Sequence, residues 1–475
     1  MSHSDDVAVS SHSPHKLNLP TKMAYGVGDL GTAISANILV FYQLIFLTNV
    51  AGLSSGLAGS VRAVAGIWDA VNDPVVGVLS DRTQTRWGRR YPWIIAGAIP
   101  LGIFFFLSWI VPEFSPVPKT QEISLFAFYI AISVLFNTAY TAVNLPYTAL
   151  TPELTQDYNE RTSLNQFRFT FSIGGSILSF ILARIIFATV TEPRQQYLML
   201  GAVCAVLCMV PPFLCVLGTR KRVAEVAAQS GSEEADAPPL PYFQQLRIVF
   251  SNRPFLFVIG IYLFSWLAVQ NTAAIIPFFI KDWMKLPPQH YAQLPLALQG
   301  TAIIMLSVWS VVSQHVGKKA VYFMGMTVWI IAEVGIFLLQ PGQVGLMYFL
   351  AVLAGFGVST AYLVPWSMIP DVIELDELNT GQRREGIFYG FMVFLQKIGL
   401  AIGQLFVGLA LQWAGFESGA DSQPPTALFA IRLLMGPIPA VTLILGLILA
   451  YFYPITREVH AEILLQLRQR REQQR

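Results

Sequence analysis

Three polar side chains stand in the stretch "IWDAVNDPVVG" at 67–77, inside an otherwise apolar run. On a helix Asp69, Asn72 and Asp73 fall at i, i+3 and i+4, so all three share a face. A charge at the bilayer centre costs about 3 kcal/mol or more, which places such residues on a water-filled cavity or in a bundle interior. Two carboxylates one turn apart repel each other unless a cation or a proton lies between them. Hard oxygen ligands of this kind can hold Na+, and the same pair can carry H+. Pro74 follows, and a proline releases a helix carbonyl as a further ligand. The competing reading is a structural ion-pair cluster with a basic partner, for which one aspartate would suffice.

Other polar residues could meet this group. Asn137, Thr141, Asn144 and Thr148 recur at spacings of four, three and four, a polar stripe along one helix face. Lys397, in "FMVFLQKIG", lies too deep to snorkel and needs a carboxylate, with Asp69 or Asp73 the candidates. Arg62 precedes Asp69 by two turns, and Arg168 and Arg184 share its ambiguity between headgroup anchor and cavity residue. Asn37, Asn144, Gln270 and Gln396 could supply convergent hydrogen bonds to a solute. Tyr147, Trp266 and Trp366 could stack on a sugar ring, although membrane aromatics more often pack. Together these make Asn37, Asn144, Thr148, Arg168, Lys397 and Trp366 the candidate substrate residues. Asp81, Arg82, Arg86 and Arg89 of "DRTQTRWGRR" can pair across helix ends and stabilise one gating state. Cys204, Cys208 and Cys215 have no His or carboxylate spaced to complete a metal site, and no nucleophile–base pair appears, so neither a cofactor nor an enzyme is expected.

The elements that position these residues follow from composition. The 475 residues are 54% hydrophobic and 12% charged, far fewer charges than the roughly 25% of a soluble domain. Twelve apolar segments long enough to span a bilayer run from 24–50 to 425–453. Lys and Arg concentrate in one set of loops, which predicts that both termini are cytoplasmic in an inner or plasma membrane. Residues 1–20 are expected to be a disordered tail, 21–219 a six-helix bundle, 220–250 a cytoplasmic linker, 251–455 a second bundle and 456–475 a basic tail. With a net charge of +2, the ending "RQRREQQR" points to lipid headgroups rather than nucleic acid. The halves echo each other: "LPYTALTPELTQDYNERTSLNQF" from 145 and "VPWSMIPDVIELDELNTGQRREGIF" from 364 share a Pro, an aromatic, a hydroxyl, a second Pro and an acid before a basic loop. The predicted fold is all-α, twelve transmembrane helices in two six-helix bundles, the architecture of major facilitator transporters.

Four stretches, "YGVGDLG" at 25–31, "IWDAVNDPVVGVLSDRTQTRWGRRYPW" at 67–93, "NLPYTALTPELTQDYNERTSLNQFR" at 144–168 and "ELDELNTGQRREGIFYG" at 374–390, resemble the glycoside-pentoside-hexuronide:cation symporter family over nearly the whole chain. The resemblance implies a coupling-cation site at Asp69 and Asp73 with Thr141, Asn72 beside them, and Lys397 linking cation and substrate sites. It carries sugar recognition over poorly: the sugar-binding acids of that branch fall at Ala33 and Asn144, its stacking tryptophan at Thr148, and its arginine at Phe169 with Arg168 adjacent. The expectation is a monomeric symporter, coupled to Na+ with H+ as the alternative. Its solute would be a sugar or glycoside first, a lysophospholipid second, and a non-transporting membrane sensor the remaining alternative.

Overall fold

The computed structural model describes residues 17–155, 158–229, 242–382 and 384–473. The predicted N-terminal tail up to 16, the middle of the linker at 230–241, Arg383 and residues 474–475 lie outside the described residues. The first half is built from α1 (Leu19–Asn49), α2 (Ser55–Arg82), α3 (Tyr91–Leu107), α4 (Pro118–Thr148), the short α5 (Thr151–Leu154), α6 (Tyr158–Thr189) and α7 (Pro193–Gln229). A short α8 (Tyr242–Ser251) leads into the second half, α9 (Arg253–Phe278), α10 (His290–Val316), α11 (Lys318–Leu338), α12 (Val344–Thr380), α13 (Glu385–Trp413), α14 (Pro425–Met435) and α15 (Pro437–Phe452). A last helix, α16 (Arg457–Gln473), follows.

Among the described residues ten helices, with α14 and α15 counted as one, are long and apolar enough to cross a membrane. The other two spans are α3, only 17 residues long, and α2, whose Arg62, Asp69, Asp73 and Asp81 dilute its apolar length. Local signals set the helix ends. The Asn18 side chain accepts from the Thr21 amide at 3.0 Å and Asn252 does the same for Phe255, filling amides that a helix start leaves bare. Gly381 closes α12 at φ +72°, its amide bonded to the Glu377 carbonyl. The final span is broken at Gly436, just before Pro437, and α9 ends in a π-helical turn, Phe279–Trp283. Asn271 donates to the Leu434 carbonyl beside that break at 2.6 Å, satisfying a group the kink would leave open.

The sequence echo has a structural counterpart. In the first half Glu153 bonds Arg89 and Arg90, each at 2.8 Å. In the second, Asp371 at the equivalent place bonds Lys318 at 2.7 Å. Each acid lies at the C-terminal end of the fourth span of its half, Glu153 just beyond α4 and Asp371 in the last turns of α12, and holds a basic residue that follows the second span. The halves meet through α2 against α13, α6 against α10 and α1 against α9, the pairing a pseudo-two-fold axis requires.

The face carrying both described chain ends is called here the terminal face, and the opposite one the distal face. Among the described residues, hydrogen bonds between the halves run only from mid-depth to the distal face. They comprise Lys397 to Asp69 and Asp73, Arg62 to Gln404, Gln404 to the Val40 carbonyl, Tyr42 to the Tyr291 carbonyl, Ser418 to the Leu53 carbonyl and Gly419 to Asn49. Pro295 lacks the amide that would otherwise bond the Tyr291 carbonyl within α10, so the Tyr42 hydroxyl meets an available acceptor at 3.4 Å. The distal seam closes because glycines let α2 and α13 touch. A Cβ on Gly408 would run into the Ser55 carbonyl and stand 2.9 Å from the Gly59 Cα, and one on Gly59 would lie 3.1 Å from the Gln404 carbonyl. Gly408→Ala is expected to lower the thermal unfolding midpoint by several degrees, since overpacking against backbone costs about 1–3 kcal/mol. A midpoint equal to that of the parent protein would show that the seam is not closed in solution.

Candidate functional site

At mid-depth, where the halves meet, Asp69 and Asp73 of α2 both face Thr141 of α4. The Thr141 hydroxyl is 3.2 Å from Asp69 Oδ1 and 3.0 Å from Asp73 Oδ1, close enough to donate to either. Lys397, on α13 from the other half, takes the second oxygen of each carboxylate: Asp69 Oδ2 at 2.8 Å, and Asp73 Oδ2. The i, i+4 spacing thus aims both acids at one point, and a single ammonium serves both. Two carboxylates against one ammonium leave one negative charge uncompensated. The side chains keep 14% exposure at Asp69, 25% at Asp73 and 20% at Lys397, so small ions can reach them. The oxygens of Asp69, Asp73 and Thr141 form a hard donor set suited to an alkali cation, with Lys397 as the built-in competitor for it.

Asn72, expected beside this group, is buried, and its Nδ2 has no hydrogen-bond partner; it makes no described bond to either carboxylate. Two turns toward the distal face, Arg62 is clasped by Gln43 of α1 at 2.7 Å and Gln404 of α13 at 2.5 Å. Gln404 and Lys397 are seven apart on α13, as Arg62 and Asp69 are on α2. The two antiparallel helices are therefore laced at two levels, Arg62 to Gln404 and Asp69/Asp73 to Lys397. Sequence reasoning left Gln43 and Gln404 unnoticed, because a glutamine in an apolar span carries no charge signal.

The candidate substrate residues divide into groups. Asn144 and Thr148 continue the Thr141 face of α4, both half-buried, and the Thr148 hydroxyl donates to the Leu145 carbonyl at 2.9 Å. Arg168 of α6 pairs with Asp29 of α1 at 3.2 Å, and its guanidinium lies over the exposed Phe169 ring at 5.6 Å. The Thr32 hydroxyl donates to the other Asp29 oxygen at 2.9 Å. Asp29 was missed from sequence, although an acid within the "YGVGDLG" span is itself a signal. Trp366 belongs to an aromatic cluster of the second half, stacked on Tyr389 and edge-on to Tyr262, which stacks on Trp266. The Trp266 Nε1 donates to the Gln396 carbonyl at 3.1 Å. Asn37 is placed in the α1–α6 seam, its amide donating to Ser179 Oγ at 2.7 Å and the Ser176 carbonyl at 3.2 Å.

In the loop at 81–90, Asp81 pairs with Arg90 at 3.1 Å, and Arg89 with Arg90 grips Glu153. Arg86 covers the adjacent Trp87 ring and Arg82 is exposed. The charge network at this helix end therefore runs through Arg90 and Glu153 as well as Asp81 and Arg89.

A profile of the family described as MFS/sugar transport protein matches residues 24–457. An uncharacterized symporter of Synechocystis sp. is 48% identical, the match covering 97% of this chain and 99% of that one. The sodium-dependent lysophosphatidylcholine symporter 1 of Mus musculus is 28% identical over 93% of this chain and 87% of its own. Among solved structures, a bacterial homolog of the human lysosomal transporter Spinster superposes with TM-score 0.66 at 13% identity, covering 94% of this chain and 97% of that chain, a likeness of fold.

Proposed function

The chain belongs to the MFS/sugar transport protein family of membrane transporters, and from that premise we propose that it is a Na+-driven symporter whose coupling ion binds Asp69, Asp73 and Thr141. It is a multi-pass transporter of the symporter kind, not an enzyme. The observation that carries the Na+ reading is the shared use of two carboxylates from one half by an ammonium from the other. Lys397 and Na+ compete for the same oxygens. With Lys397 in place α2 and α13 are laced shut toward the distal face; Na+ on the carboxylates releases Lys397 and favours the distal-open state. A ligand shifts a conformational equilibrium only by its differential affinity for the two states. The competition provides that difference. The basic groups Arg89, Arg90, Lys318, Lys319 and Arg384 all lie at the terminal face, which supports cytoplasmic termini in a plasma or inner membrane. The protein is taken to act as a monomer, surrounded by lipid.

For the solute, the geometry favours a lysophospholipid-like amphiphile. Arg168 and Asp29 present both signs of charge beside exposed Phe169, a complement to a zwitterionic headgroup on an acyl chain. The relative named for lysophosphatidylcholine symport supports the same class. The amide of Asn37, one of the groups expected to bind a sugar, is taken up by Ser176 and Ser179. A sugar or glycoside is the second reading, favoured by half-buried Asn144 and Thr148 following Thr141 along one face and by the family's description.

Proteoliposome uptake with Na+ against choline decides both points. Saturable, Na+-dependent lysophosphatidylcholine uptake is expected, weakened about 30-fold or more in half-saturation by Arg168→Gln, since truncating one partner of an enclosed charge pair costs about 2 kcal/mol or more. Na+-dependent glycoside uptake insensitive to lysolipid would replace the first solute reading by the second. No saturable uptake of either would leave the membrane-sensor reading in their place.

A further inference from the structure

Five of the six spans of the second half border a small cavity in their distal portion, lined by Thr272 and Ile276 of α9, Leu294 of α10, Glu333 of α11, Met347 of α12 and Met435 of α14. It has room for about one water-sized body. Its walls are apolar apart from two groups. Glu333 is 0% exposed; its Oε1 accepts from Trp329 Nε1 at 2.6 Å, and its Oε2 has no partner. The hydroxyl of Thr272, also buried, has none either.

A bare carboxylate removed from water costs several kcal/mol, and an unpaired hydroxyl adds to that. The charged groups on the surrounding elements are engaged elsewhere. Lys281 and Asp282 of the π-helical turn neighbour each other at 4.0 Å, and His290 at the head of α10 meets Tyr348. Arg432 of α14 lies between Trp283 and Phe337 and donates to the Phe337 carbonyl. At the far end of α11, Lys318 holds Asp371 and Lys319 the Tyr451 carbonyl. Among the described residues no basic group forms an ion pair with Glu333. Two residues that border the same small cavity, one of them an acid, thus each keep a buried oxygen without a partner.

We propose that Glu333 and Thr272 form a proton site buried in the C-terminal bundle, in which Glu333 carries one H+ in place of the basic partner it lacks. It is separate from the Asp69/Asp73 group, lies wholly in the other half and does not rest on the reading of that group. Since α9, α10, α11, α12 and α14 all contribute to its wall, its occupant holds the distal portion of that bundle together as one body.

The test uses purified full-length protein in lipid nanodiscs, with Asp69→Asn and Asp73→Asn introduced together so that the first group is removed. Its thermal midpoint is followed against NaCl at fixed pH and ionic strength with choline as replacement, and against pH in choline. A fall of several degrees on alkalinisation with no response to Na+ is expected for a bound H+; a rise with Na+ and no pH response overturns it. The pH dependence should vanish on adding Glu333→Gln, which keeps the volume and the acceptor for Trp329, and should weaken on adding Thr272→Val. The same pH dependence with and without Glu333→Gln overturns the proposal, as does its absence while Glu333 is intact. If the Asp69/Asp73 reading is wrong, the double variant behaves like the parent and the Glu333→Gln comparison still reads this site.

Discussion

Asp73→Asn should abolish Na+-driven accumulation while leaving the folded protein and solute exchange intact. Asparagine has the same shape, keeps an oxygen for the Thr141 hydroxyl that lies 3.0 Å from Asp73 Oδ1, and leaves Lys397 its 2.8 Å bond to Asp69. What changes is charge. Two carboxylates and one ammonium leave one negative charge for a cation to neutralise; one carboxylate and one ammonium leave none. A unit charge at 4 Å is worth about 1–4 kcal/mol between bulk water and the partly enclosed setting of this site, so Na+ affinity should fall by a factor between roughly five and several hundred. The measurement is solute accumulation in proteoliposomes under an inward Na+ gradient, beside counterflow exchange without one. Loss of accumulation with retained exchange is the expected pair; full Na+-dependent accumulation in the variant would sink the site assignment.

The legibility of this site followed charge. Asp69 and Asp73 could be read from sequence because a carboxylate in a lipid-depth run is expensive, and their spacing on a helix told that they converge. Lys397 was legible for the same reason, and its partner was named correctly because few acids lie at that depth. Thr141 was different: hydroxyls are common in membrane helices, and only the family resemblance singled it out. Gln43 and Gln404 were invisible because clasping Arg62 needs only neutral acceptors. Glu333 and Asp29 carried the same charge signal as Asp69 and were passed over, the first lying alone in its apolar run and the second inside a stretch read only for its family resemblance.

The fold divides likewise. Hydrophobic length gave the twelve-span architecture, and the shared order of Pro, aromatic, hydroxyl and acid gave the duplication, which the matching roles of Glu153 and Asp371 now explain. The break at Gly436 and the π-helical turn at Phe279–Trp283 were not legible. Both engage partners distant in sequence, as the bonds from Asn271 to the Leu434 carbonyl and from Trp283 Nε1 to the Leu339 carbonyl show. Which face is closed was equally out of reach, since the Gly59–Gly408 approach joins residues from opposite halves.

Lys397→Ala should separate Na+ binding from coupling. Its ammonium is the only described basic group on Asp69 and Asp73, and the two arginines that could replace it are occupied, Arg62 by Gln43 and Gln404 and Arg168 by Asp29. Without Lys397, two carboxylates one turn apart face each other unneutralised. Breaking an enclosed pair by removing one partner costs about 3–5 kcal/mol; the partial exposure of these groups reduces that, to roughly 1–3 kcal/mol of stability in Na+-free solution. Na+ then binds without a competitor, so the rise in thermal midpoint on adding Na+ should exceed that of the parent protein, by mass action on the folded state. Accumulation should nevertheless be lost. Na+ can shift the α2–α13 seam only by displacing something that holds it shut, and the variant has nothing at mid-depth to displace. A variant that matches the parent both in its Na+-dependent midpoint and in gradient-driven uptake would show that Lys397 is a structural cation and that coupling runs through other residues.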